Sequence, residues 1–253
     1  MRLAGKIAVV TGAAVGLGRA VALRFAAEGA AVVAADTNQV EGQLLVKEFV
    51  ELGGEGIFVQ TDISNENSVR KLFDTTLARY RRIDILYNNA AVLSHKNDLP
   101  VHELSVETWD SIMNTNLRGT FLCSKYAVPS MLKDGNGSII HVSSPTGLYG
   151  CAPQLTAYSA SKAGIIGLTR AMAAAHARNN IRVNTVVPGT MDTPMNGQLF
   201  SDNGLRGKFE AAIPLGRLGT PQDIEGVAVF LASDESAYCT GGIYMCDGGL
   251  TAV

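Results

Sequence analysis

The chain has 253 residues, of which 47% are hydrophobic and 17% charged, and its formal net charge at pH 7 is −2. This composition is typical of a globular protein, and the weak charge gives no basis for binding nucleic acid or a membrane surface. No apolar run approaches a membrane span and no signal-peptide pattern precedes the first strand-like segment, so we expect a cytoplasmic protein. The four scattered cysteines show no metal or redox spacing, and no metal is expected.

Apolar β-branched runs alternate with helical patterns along the whole chain. The predicted strands are Ile7–Val10, Ala31–Ala35, Ile57–Gln60, Ile83–Tyr87, Ser138–Val142, Ile181–Val187 and Ile243–Met245. The predicted helices are Leu17–Glu28, Val40–Leu52, Glu66–Arg81, Ser105–Leu132, Ala157–Ala177 and Gln222–Ala232. Most strand runs are apolar on both faces, as in a parallel sheet covered by helices on both sides. We therefore predict one α/β domain over residues 1–253, a Rossmann-type doubly wound sheet of seven parallel strands.

A glycine-rich turn, Thr11–Gly18, follows the first strand at once and leads into a helix. Gly12, Gly16 and Gly18 permit a tight turn and let the backbone approach a pyrophosphate, which the free N–H groups of the helix would bind. The position between strand and helix favours a dinucleotide site over a plain turn. Val15 and Leu17 complete the loop and are expected to contact the same ligand.

Asp36 ends the second strand, 18 residues after Gly18. An acidic residue near this spacing hydrogen-bonds the adenosine ribose hydroxyls and would repel a 2′-phosphate. The glycine loop also has Val15 where a basic residue would attract that phosphate, although Arg19 follows the last glycine. The alternative for Asp36 is a solvated turn carboxylate. We therefore predict NAD as cofactor, preferred over NADP.

Tyr158 and Lys162 lie four residues apart on a predicted helix, so their side chains share one face. A free tyrosine, with a pKa of about 10, is a poor base at neutral pH. A neighbouring ammonium favours the phenolate and is expected to lower that pKa, as a general acid/base requires. By itself such a pair is most often a surface pair, so its context decides its meaning.

With these motifs in order, the chain resembles the short-chain dehydrogenase/reductase family over nearly its whole length. The matching segments, beyond Thr11–Gly18, Tyr158 and Lys162, are Asp62-Ile63, Asn88-Asn89-Ala90, Asn116, Ser143-Ser144, Pro188-Gly189 with Thr193, Thr240–Gly242 and Asp247–Gly249. The resemblance implies that Asp62, Ile63, Asn89, Ala90, Pro188, Gly189 and Thr193 line the dinucleotide site. Two departures stand out: residue 91 is alanine instead of glycine, and the interval from Ser144 to Tyr158 is one residue longer than is typical.

The resemblance also implies a mechanism. Tyr158 as phenolate takes the alcohol proton while the hydride passes to nicotinamide, and Ser144 donates a hydrogen bond to the substrate oxygen. Lys162 lowers the tyrosine pKa and binds the ribose hydroxyls of the nicotinamide nucleoside, and Asn116 helps to hold a water that relays protons. We choose Ser144 over Ser143 because the second serine of such a pair is catalytic in the family. Alternation along a strand sends the two hydroxyls to opposite faces.

The segment 190–208 is the main predicted irregular stretch, and it follows a strand at the edge where ligands of such sheets bind. It is interpreted either as a mobile substrate lid or as an ordinary surface loop. Residues near the expected mouth form a set of substrate-pocket candidates: His95, Thr146, Tyr149, Gln154, Met191 and Met195. A solvated loop is the alternative for His95, and His141 on its strand is expected to be a buried, hydrogen-bonded structural residue.

The expected substrate is a small alcohol or ketone, and the expected function is NAD-dependent interconversion of a secondary alcohol and a ketone. Two alternatives stay open: a catalytically silent dinucleotide-binding regulator, and an NADP-preferring ketoreductase such as a 3-oxoacyl-thioester reductase. A methyltransferase has no need of Tyr158 and Lys162. The helix that carries Tyr158 is rich in alanine and glycine, and the resemblance implies that this surface joins subunits in a homotetramer.

Overall fold

The computed structural model describes residues 1–252, apart from the side chain of Gln198. The strands are β1 Ile7–Thr11, β2 Ala31–Asp36, β3 Glu55–Gln60, β4 Ile85–Asn88, β5 Gly137–Val142, β6 Ile181–Pro188 and β7 Ile243–Cys246. They form one seven-stranded sheet in the order β3-β2-β1-β4-β5-β6-β7, and every neighbouring pair is parallel. The predicted fold class, a doubly wound α/β sheet, is confirmed.

Helices cover both faces of this sheet. The α-helices are α1 Gly16–Ala27, α2 Gln39–Glu51, α3 Glu66–Tyr80, α4 Val106–Met113, α5 Gly119–Asp134, α6 Thr156–His176, α7 Gly197–Phe200, α8 Asn203–Ala212 and α9 Gln222–Ala232. One core lies between the sheet and α1, α2 and α9, and the other between the sheet and α3, α5 and α6. Each of these six helices turns an apolar stripe to the strands.

Most strand residues are apolar because both faces of the central strands are buried. Along β1, Val9 packs into one core and Val10 into the other, since successive side chains point to opposite faces. In β2, Val32 and Val33 divide between the cores in the same way. Burying a side chain of this size stabilises the fold by about 1.5–3 kcal/mol. The continuous apolar runs in the sequence therefore predicted the strands within two residues at most ends.

The sheet reverses its order at β1, which has β2 on one side and β4 on the other. The connections leaving β1 and β4 therefore diverge to opposite faces and leave a crevice at the carboxyl ends of these strands. The glycine-rich turn after β1 lies at this point. This places the predicted dinucleotide loop where ligands of doubly wound sheets bind.

The predicted helix Ser105–Leu132 is interrupted by a wider turn. Residues Asn114–Arg118 form a π-helical turn between α4 and α5, with no break in the helical path. Such turns insert one residue and often mark functional sites. Asn116 lies within it and is fully buried. The periodicity of the sequence predicted a helix here and could not indicate the change of pitch.

The segment 190–208 is more ordered than predicted. It contains a short 3₁₀ turn, Pro194–Asn196, followed by α7 and the beginning of α8. The Asp202 side chain caps α8 by accepting hydrogen bonds from the N–H groups of Gly204 and Leu205, at 2.8 and 3.1 Å. The interpretation as an irregular stretch was wrong, because this acidic cap was overlooked. That the segment moves as a lid stays a prediction.

Three further features concern the described residues as a whole. Among residues 1–252, no helix combines the length and the apolar character that crossing a membrane requires. The four cysteines are free thiols, and Cys123 is fully buried. The same part of the chain brings together no group of three His, Cys, Asp or Glu residues that could hold a metal ion.

Candidate active site

The two serines at the end of β5 have different partners. The Ser143 hydroxyl is buried and donates a 2.8 Å hydrogen bond to the carbonyl of Lys162. The Ser144 Oγ instead accepts from the N–H and the hydroxyl of Thr146, at 3.3 and 3.1 Å. It also lies beside the Tyr158 phenol and acts to lower the pKa of that group. The Ser144 hydroxyl hydrogen is therefore available to another acceptor, whereas that of Ser143 is already used.

Tyr158 and Lys162 come together as the spacing predicted. Both lie on α6, and the Nζ atom of Lys162 is 5.5 Å from the centroid of the Tyr158 ring. The ammonium donates a 2.9 Å hydrogen bond to the carbonyl of Val142, at the end of β5. Lys162 is 2% exposed, so little water reaches its charge. Strand β5 and helix α6 thus converge on one cluster of Ser144, Tyr158 and Lys162.

The pKa of Tyr158 differs from the sequence-based expectation. Burial of the phenol raises its pKa to about 12, because water no longer stabilises the phenolate, and the Ser144 hydroxyl lowers it by less. Burial likewise lowers the pKa of Lys162 to about 8. The ammonium lies near the ring and gives its hydrogen bond to a carbonyl. Burial therefore outweighs the lowering expected from the Lys162 ammonium, and the pKa of Tyr158 lies above its ordinary value in the chain without ligand.

Asn116 fastens the chain that follows β4. Its Oδ1 accepts from the N–H of Val92 at 2.8 Å, and its Nδ2 donates to the Val92 carbonyl at 3.0 Å and to the Ser161 hydroxyl at 3.2 Å. Its main-chain carbonyl accepts from the hydroxyl of Thr120. The side chain is therefore committed to protein partners, and any water would have to be held by other atoms of this residue.

The glycine-rich loop is shaped by close backbone contacts. A side chain at Gly18 would lie 2.1 Å from the carbonyl oxygen of Gly12, so only glycine fits there. Gly12 and Gly16 have φ values of +63° and +60°, which favour glycine. Asn89 donates from Nδ2 to the carbonyls of Thr11 and Gly12, which holds the turn in place.

The loop can accept a dinucleotide pyrophosphate. Its glycines leave a backbone cradle that a Cβ would fill, and the N-cap position of α1, Val15, offers no side-chain hydrogen bond to the free N–H groups of the helix. Unpaired N–H groups at the positive end of a helix bind phosphate oxygens. Leu17, which follows in the first turn, packs against the adjacent core. These features fit a dinucleotide.

Asp36 lies against the glycine loop. Its Oδ2 accepts from the N–H of Ala14 at 3.0 Å, and its Oδ1 accepts from the N–H of Asn38 at 2.9 Å. Arg19 forms an ion pair with Glu48 of α2. The carboxylate thus remains beside the loop, while the one basic residue near the last glycine has an acidic partner. The bond to Ala14 ties the carboxylate to the glycine loop, whereas the bond to Asn38 is that of a turn residue, so both interpretations of Asp36 stay open.

The remaining predicted dinucleotide contacts lie where strands end. Asp62 and Ile63 follow β3, and the Asp62 carboxylate accepts from the N–H and hydroxyl of Ser64 at 2.9 and 2.7 Å. Ala90 follows β4, and its N–H donates to the Thr11 hydroxyl at 3.2 Å. Three further residues follow or end β6: Pro188, Gly189 and Thr193. All of them therefore border the carboxyl edge of the sheet.

Comparisons with known proteins agree with this geometry. The family model described as Enoyl-(Acyl carrier protein) reductase matches residues 12–251. The 3-oxoacyl-[acyl-carrier-protein] reductase FabG of Thermotoga maritima is 42% identical over 250 residues, which is 99% of each chain. The chain is a short-chain dehydrogenase/reductase. It is therefore an oxidoreductase of CH–OH and keto groups that works with a nicotinamide dinucleotide.

Two other relatives of this dehydrogenase/reductase carry different substrate names. A cis-4-hydroxycyclohexanecarboxylate dehydrogenase of Sinomonas cyclohexanicum is 40% identical, covering 99% of this chain and 98% of that protein. The crystal structure of a gluconate 5-dehydrogenase from Burkholderia cenocepacia, in complex with NADP and tartrate, has a TM-score of 0.94 at 32% identity. It covers 100% of this chain and 97% of that one. The family is thus shown, and the substrate is not.

The substrate-pocket candidates of this dehydrogenase/reductase occupy three settings. Thr146 touches Ser144, and the His95 Nε2 lies 3.3 Å from the Asn196 Oδ1 of the segment 190–208. Three residues are exposed at the surface: Tyr149, Gln154 and Met195. Met191 differs from them, because it is 4% exposed and belongs to the core between the sheet and α1, α2 and α9. It lines a cavity of about 520 Å³ beside β6 and β7 whose lining does not include Tyr158.

Sequence reasoning missed two residues that organise this site. The Thr11 hydroxyl accepts from the N–H groups of Asn89 and Ala90, at 3.1 and 3.2 Å, and so links the ends of β1 and β4. Asp98 is 0% exposed, and its carboxylate accepts from the first turn of α6. The sequence held one indication of the second residue. Leu155, which precedes α6, has no side-chain oxygen to accept from the free N–H groups of the first turn. An acceptor for those groups was therefore to be sought elsewhere in the chain.

Proposed function

We propose that the protein interconverts a secondary alcohol and a ketone with NAD as cofactor, and that Tyr158 exchanges the proton. The observation that carries this proposal is the cluster of Ser144, Tyr158 and Lys162 at the carboxyl edge of the sheet. A protein that only binds dinucleotides has no need of a phenol, a buried ammonium and a hydroxyl gathered in one cluster. The reading as a silent regulator is therefore the weaker one.

The dinucleotide would lie along the carboxyl edge. Gly12, Gly16 and Gly18, with the N-terminus of α1, would bind its pyrophosphate, and Asp36 would accept hydrogen bonds from the adenosine ribose. Val15, Leu17 and the residues that follow β3, β4 and β6 would border it. When bound, the nicotinamide supplies or receives the hydride. The chain itself contributes orientation and proton management.

Proton transfer would use three side chains. The Tyr158 hydroxyl gives a proton to the ketone oxygen in reduction and takes it from the alcohol in oxidation. The Ser144 Oγ accepts two hydrogen bonds from Thr146, and its hydroxyl lies beside the Tyr158 phenol. With substrate bound, the Ser144 hydrogen would turn to the substrate oxygen and stabilise developing charge. The buried ammonium of Lys162 favours the phenolate. Asn116 holds the chain after β4 in place beside them.

Preference for NAD is supported by the contacts of Asp36. A carboxylate fixed beside the glycine loop would face a 2′-phosphate of like charge, and such a juxtaposition is unfavourable. Arg19, whose positive charge would attract that phosphate, is paired with Glu48. The alternative is an NADP-preferring ketoreductase such as a 3-oxoacyl-thioester reductase. It is favoured by the Thermotoga maritima relative and by the NADP in the Burkholderia cenocepacia structure.

We also infer a small neutral substrate, a homotetramer and a cytoplasmic location. The outward face of α6 exposes a row of small residues that would let another helix approach closely: Ala163, Gly167, Ala171 and Ala174. Sedimentation at micromolar concentration tests the tetramer, and a monomer there would contradict it. A panel that contrasts cyclic alcohols with 3-oxoacyl thioesters separates the substrate classes of the two curated relatives.

The decisive experiment follows nicotinamide absorbance with purified protein. Secondary alcohols and ketones are tested with NAD(H) and NADP(H), alongside Tyr158→Phe. We expect turnover with NAD that Tyr158→Phe abolishes while NADH still binds. Tyr238→Phe is the matched control, because Tyr238 is fully exposed and follows the turn whose Asp234 pairs with Lys6 at the opposite edge of the sheet. Turnover unchanged in Tyr158→Phe would refute the proposal.

A further inference from the structure

Helix α6, which carries Tyr158 and Lys162, begins without a local cap. Its N-cap residue is Leu155, which makes no side-chain hydrogen bond to the first turn. The carboxylate of Asp98, from the connection after β4, fills this role. Its Oδ1 accepts from the N–H of Ala157 at 2.9 Å, and its Oδ2 accepts from the N–H of Tyr158 at 2.8 Å. The cap therefore bonds to the backbone of the proposed proton donor itself.

We propose that Asp98 is a positioning residue for the reaction, whose buried carboxylate holds the backbone of Tyr158 at the place where its phenol can reach substrate. This inference rests on the proposed role of Tyr158. Asp98 is fully buried and its carboxylate bonds to the backbone N–H groups of Ala157 and Tyr158, so it acts through the tyrosine.

The carbonyl side of the same residue is held as well. The Ser161 hydroxyl donates a 2.7 Å hydrogen bond to the carbonyl of Tyr158, and it accepts from the Asn116 Nδ2 at 3.2 Å. Asn116 in turn binds both backbone groups of Val92. The N–H and the C=O of Tyr158 are thus each tied, through Asp98 and through Asn116, to the same connection after β4.

A third hydrogen bond, in addition to the two that Asp98 accepts, strengthens the junction between this connection and α6. The Thr156 hydroxyl, at the first position of the helix, donates to the carbonyl of Leu99 at 2.7 Å. The N–H of Asp98 donates to the carbonyl of Ser94 at 3.0 Å, which closes a turn and aims the carboxylate inward. With the two bonds to Asp98, three hydrogen bonds join the two segments.

The chemistry explains why an acidic residue suits this position. A carboxylate at a helix N-terminus is favoured by the helix dipole, and its bonds to N–H groups are charge-assisted. Proton transfer in turn tolerates little misplacement, since an error of about 1 Å at a reacting group can cost about 100-fold in rate. Losing the carboxylate would free the first turn of α6 and leave two buried N–H groups without acceptors.

The test compares Asp98→Ala and Asp98→Asn with a matched control, Asp84→Ala. Asp84 is also a buried carboxylate bonded to a backbone N–H, that of Ile7 at 2.7 Å, but it lies at the amino edge of the sheet. We expect Asp98→Ala to lower kcat by about 10- to 100-fold while the KM for the dinucleotide stays within about twofold. The kcat of Asp98→Asn, which keeps one acceptor oxygen, should lie between those of the wild type and Asp98→Ala. Asp84→Ala should keep the wild-type kcat.

A second readout is independent of turnover. In protein with ¹³Cζ-labelled tyrosine, the Tyr158 signal is assigned from its absence in Tyr158→Phe. It should shift or broaden in both Asp98 variants and stay in place in Asp84→Ala. An unchanged Tyr158 signal with an unchanged kcat overturns the proposal, as does a loss of kcat that Asp84→Ala shares. If Asp98→Ala does not fold, Asp98→Asn decides by the same criteria. If wild-type protein turns over no alcohol or ketone, the proposed function fails, while the Tyr158 signal still decides the role of Asp98.

Discussion

The Nζ atom of Lys162 lies 5.5 Å from the centroid of the Tyr158 ring while it donates a 2.9 Å hydrogen bond to the carbonyl of Val142. The cation therefore acts on the phenol through space. Since burial raises the pKa of Tyr158 to about 12 and lowers that of Lys162 to about 8, the chain alone keeps the phenol neutral at pH 7. The neutral phenol is the form that a ketone reduction needs.

Replacing Lys162 with methionine should slow alcohol oxidation more than ketone reduction. Without the cation the pKa of Tyr158 rises further, and each pKa unit of that rise lowers the phenolate fraction about tenfold at pH 7. The pKa of Lys162 is about 8, so the wild type loses the same charge as pH rises through that value. The ratio of wild-type to variant oxidation rates should therefore shrink above about pH 8.

Rate profiles at saturating cofactor provide the measurement. Lys125→Met is the matched control, because Lys125 pairs with Glu66 on the surface and should leave the profile unchanged. A wild-type to Lys162→Met ratio that stays constant from about pH 6 to about pH 10 would contradict the electrostatic role.

Ser144→Ala should lower turnover, whereas Ser143→Ala should lower stability. Ser144→Ala removes the proposed donor to the substrate oxygen, so we expect kcat to fall by about 100- to 1,000-fold with little loss of stability. Ser143→Ala leaves the carbonyl of Lys162 without its 2.8 Å hydrogen bond and should cost about 1–3 kcal/mol in the free energy of unfolding. Steady-state kinetics and urea unfolding measure the two effects. The reverse pattern would assign the substrate contact to Ser143.

Asp36→Asn should relax the cofactor preference. Removing the charge beside the glycine loop removes the repulsion of a 2′-phosphate, so the ratio of kcat/KM for NADP to that for NAD should rise about tenfold or more. Asp62→Asn is the matched control, since its exposed carboxylate binds Ser64 and should change both cofactors equally. If the wild type already prefers NADP, the predicted preference is wrong.

Mild acid should destabilise the protein through His141. This residue is fully buried, its Nδ1 lies 2.9 Å from the Thr169 hydroxyl, and burial lowers its pKa to about 3. In the unfolded chain this histidine binds a proton near pH 6.5, whereas in the folded chain it stays neutral down to about pH 3. The contribution of His141 to the free energy of unfolding is therefore complete above about pH 6.5 and falls as pH drops towards 3. Between about pH 7 and about pH 5 this loss amounts to about 2 kcal/mol.

Urea unfolding at the two pH values tests this expectation with His141→Asn. The variant should lack most of the loss, whatever its stability at neutral pH. His102→Asn should keep it, since His102 is exposed. An equal loss in wild type and His141→Asn would show that other groups govern acid unfolding.

Local patterns predicted the sheet and the pair Tyr158 and Lys162 because period and spacing are properties of short segments. Strand β1 with its glycine turn, and the four-residue spacing on α6, are of this kind. The structure departs from prediction where distant segments decide. The π turn at Asn116, the cap from Asp98 and the raised pKa of Tyr158 each depend on what packs against a residue, which no single segment encodes.

The hydrogen bonds of Asn116 to Val92 and those of Asp98 to α6 anchor the two ends of a stretch in the connection after β4. Residues 93–97 span the interval, and His95 among them reaches Asn196 across the mouth. Because both ends are anchored, we expect substitutions in this stretch to change the proposed substrate pocket and to leave Tyr158 in place. Residues 93–97 are therefore the first choice for a library that seeks new substrates.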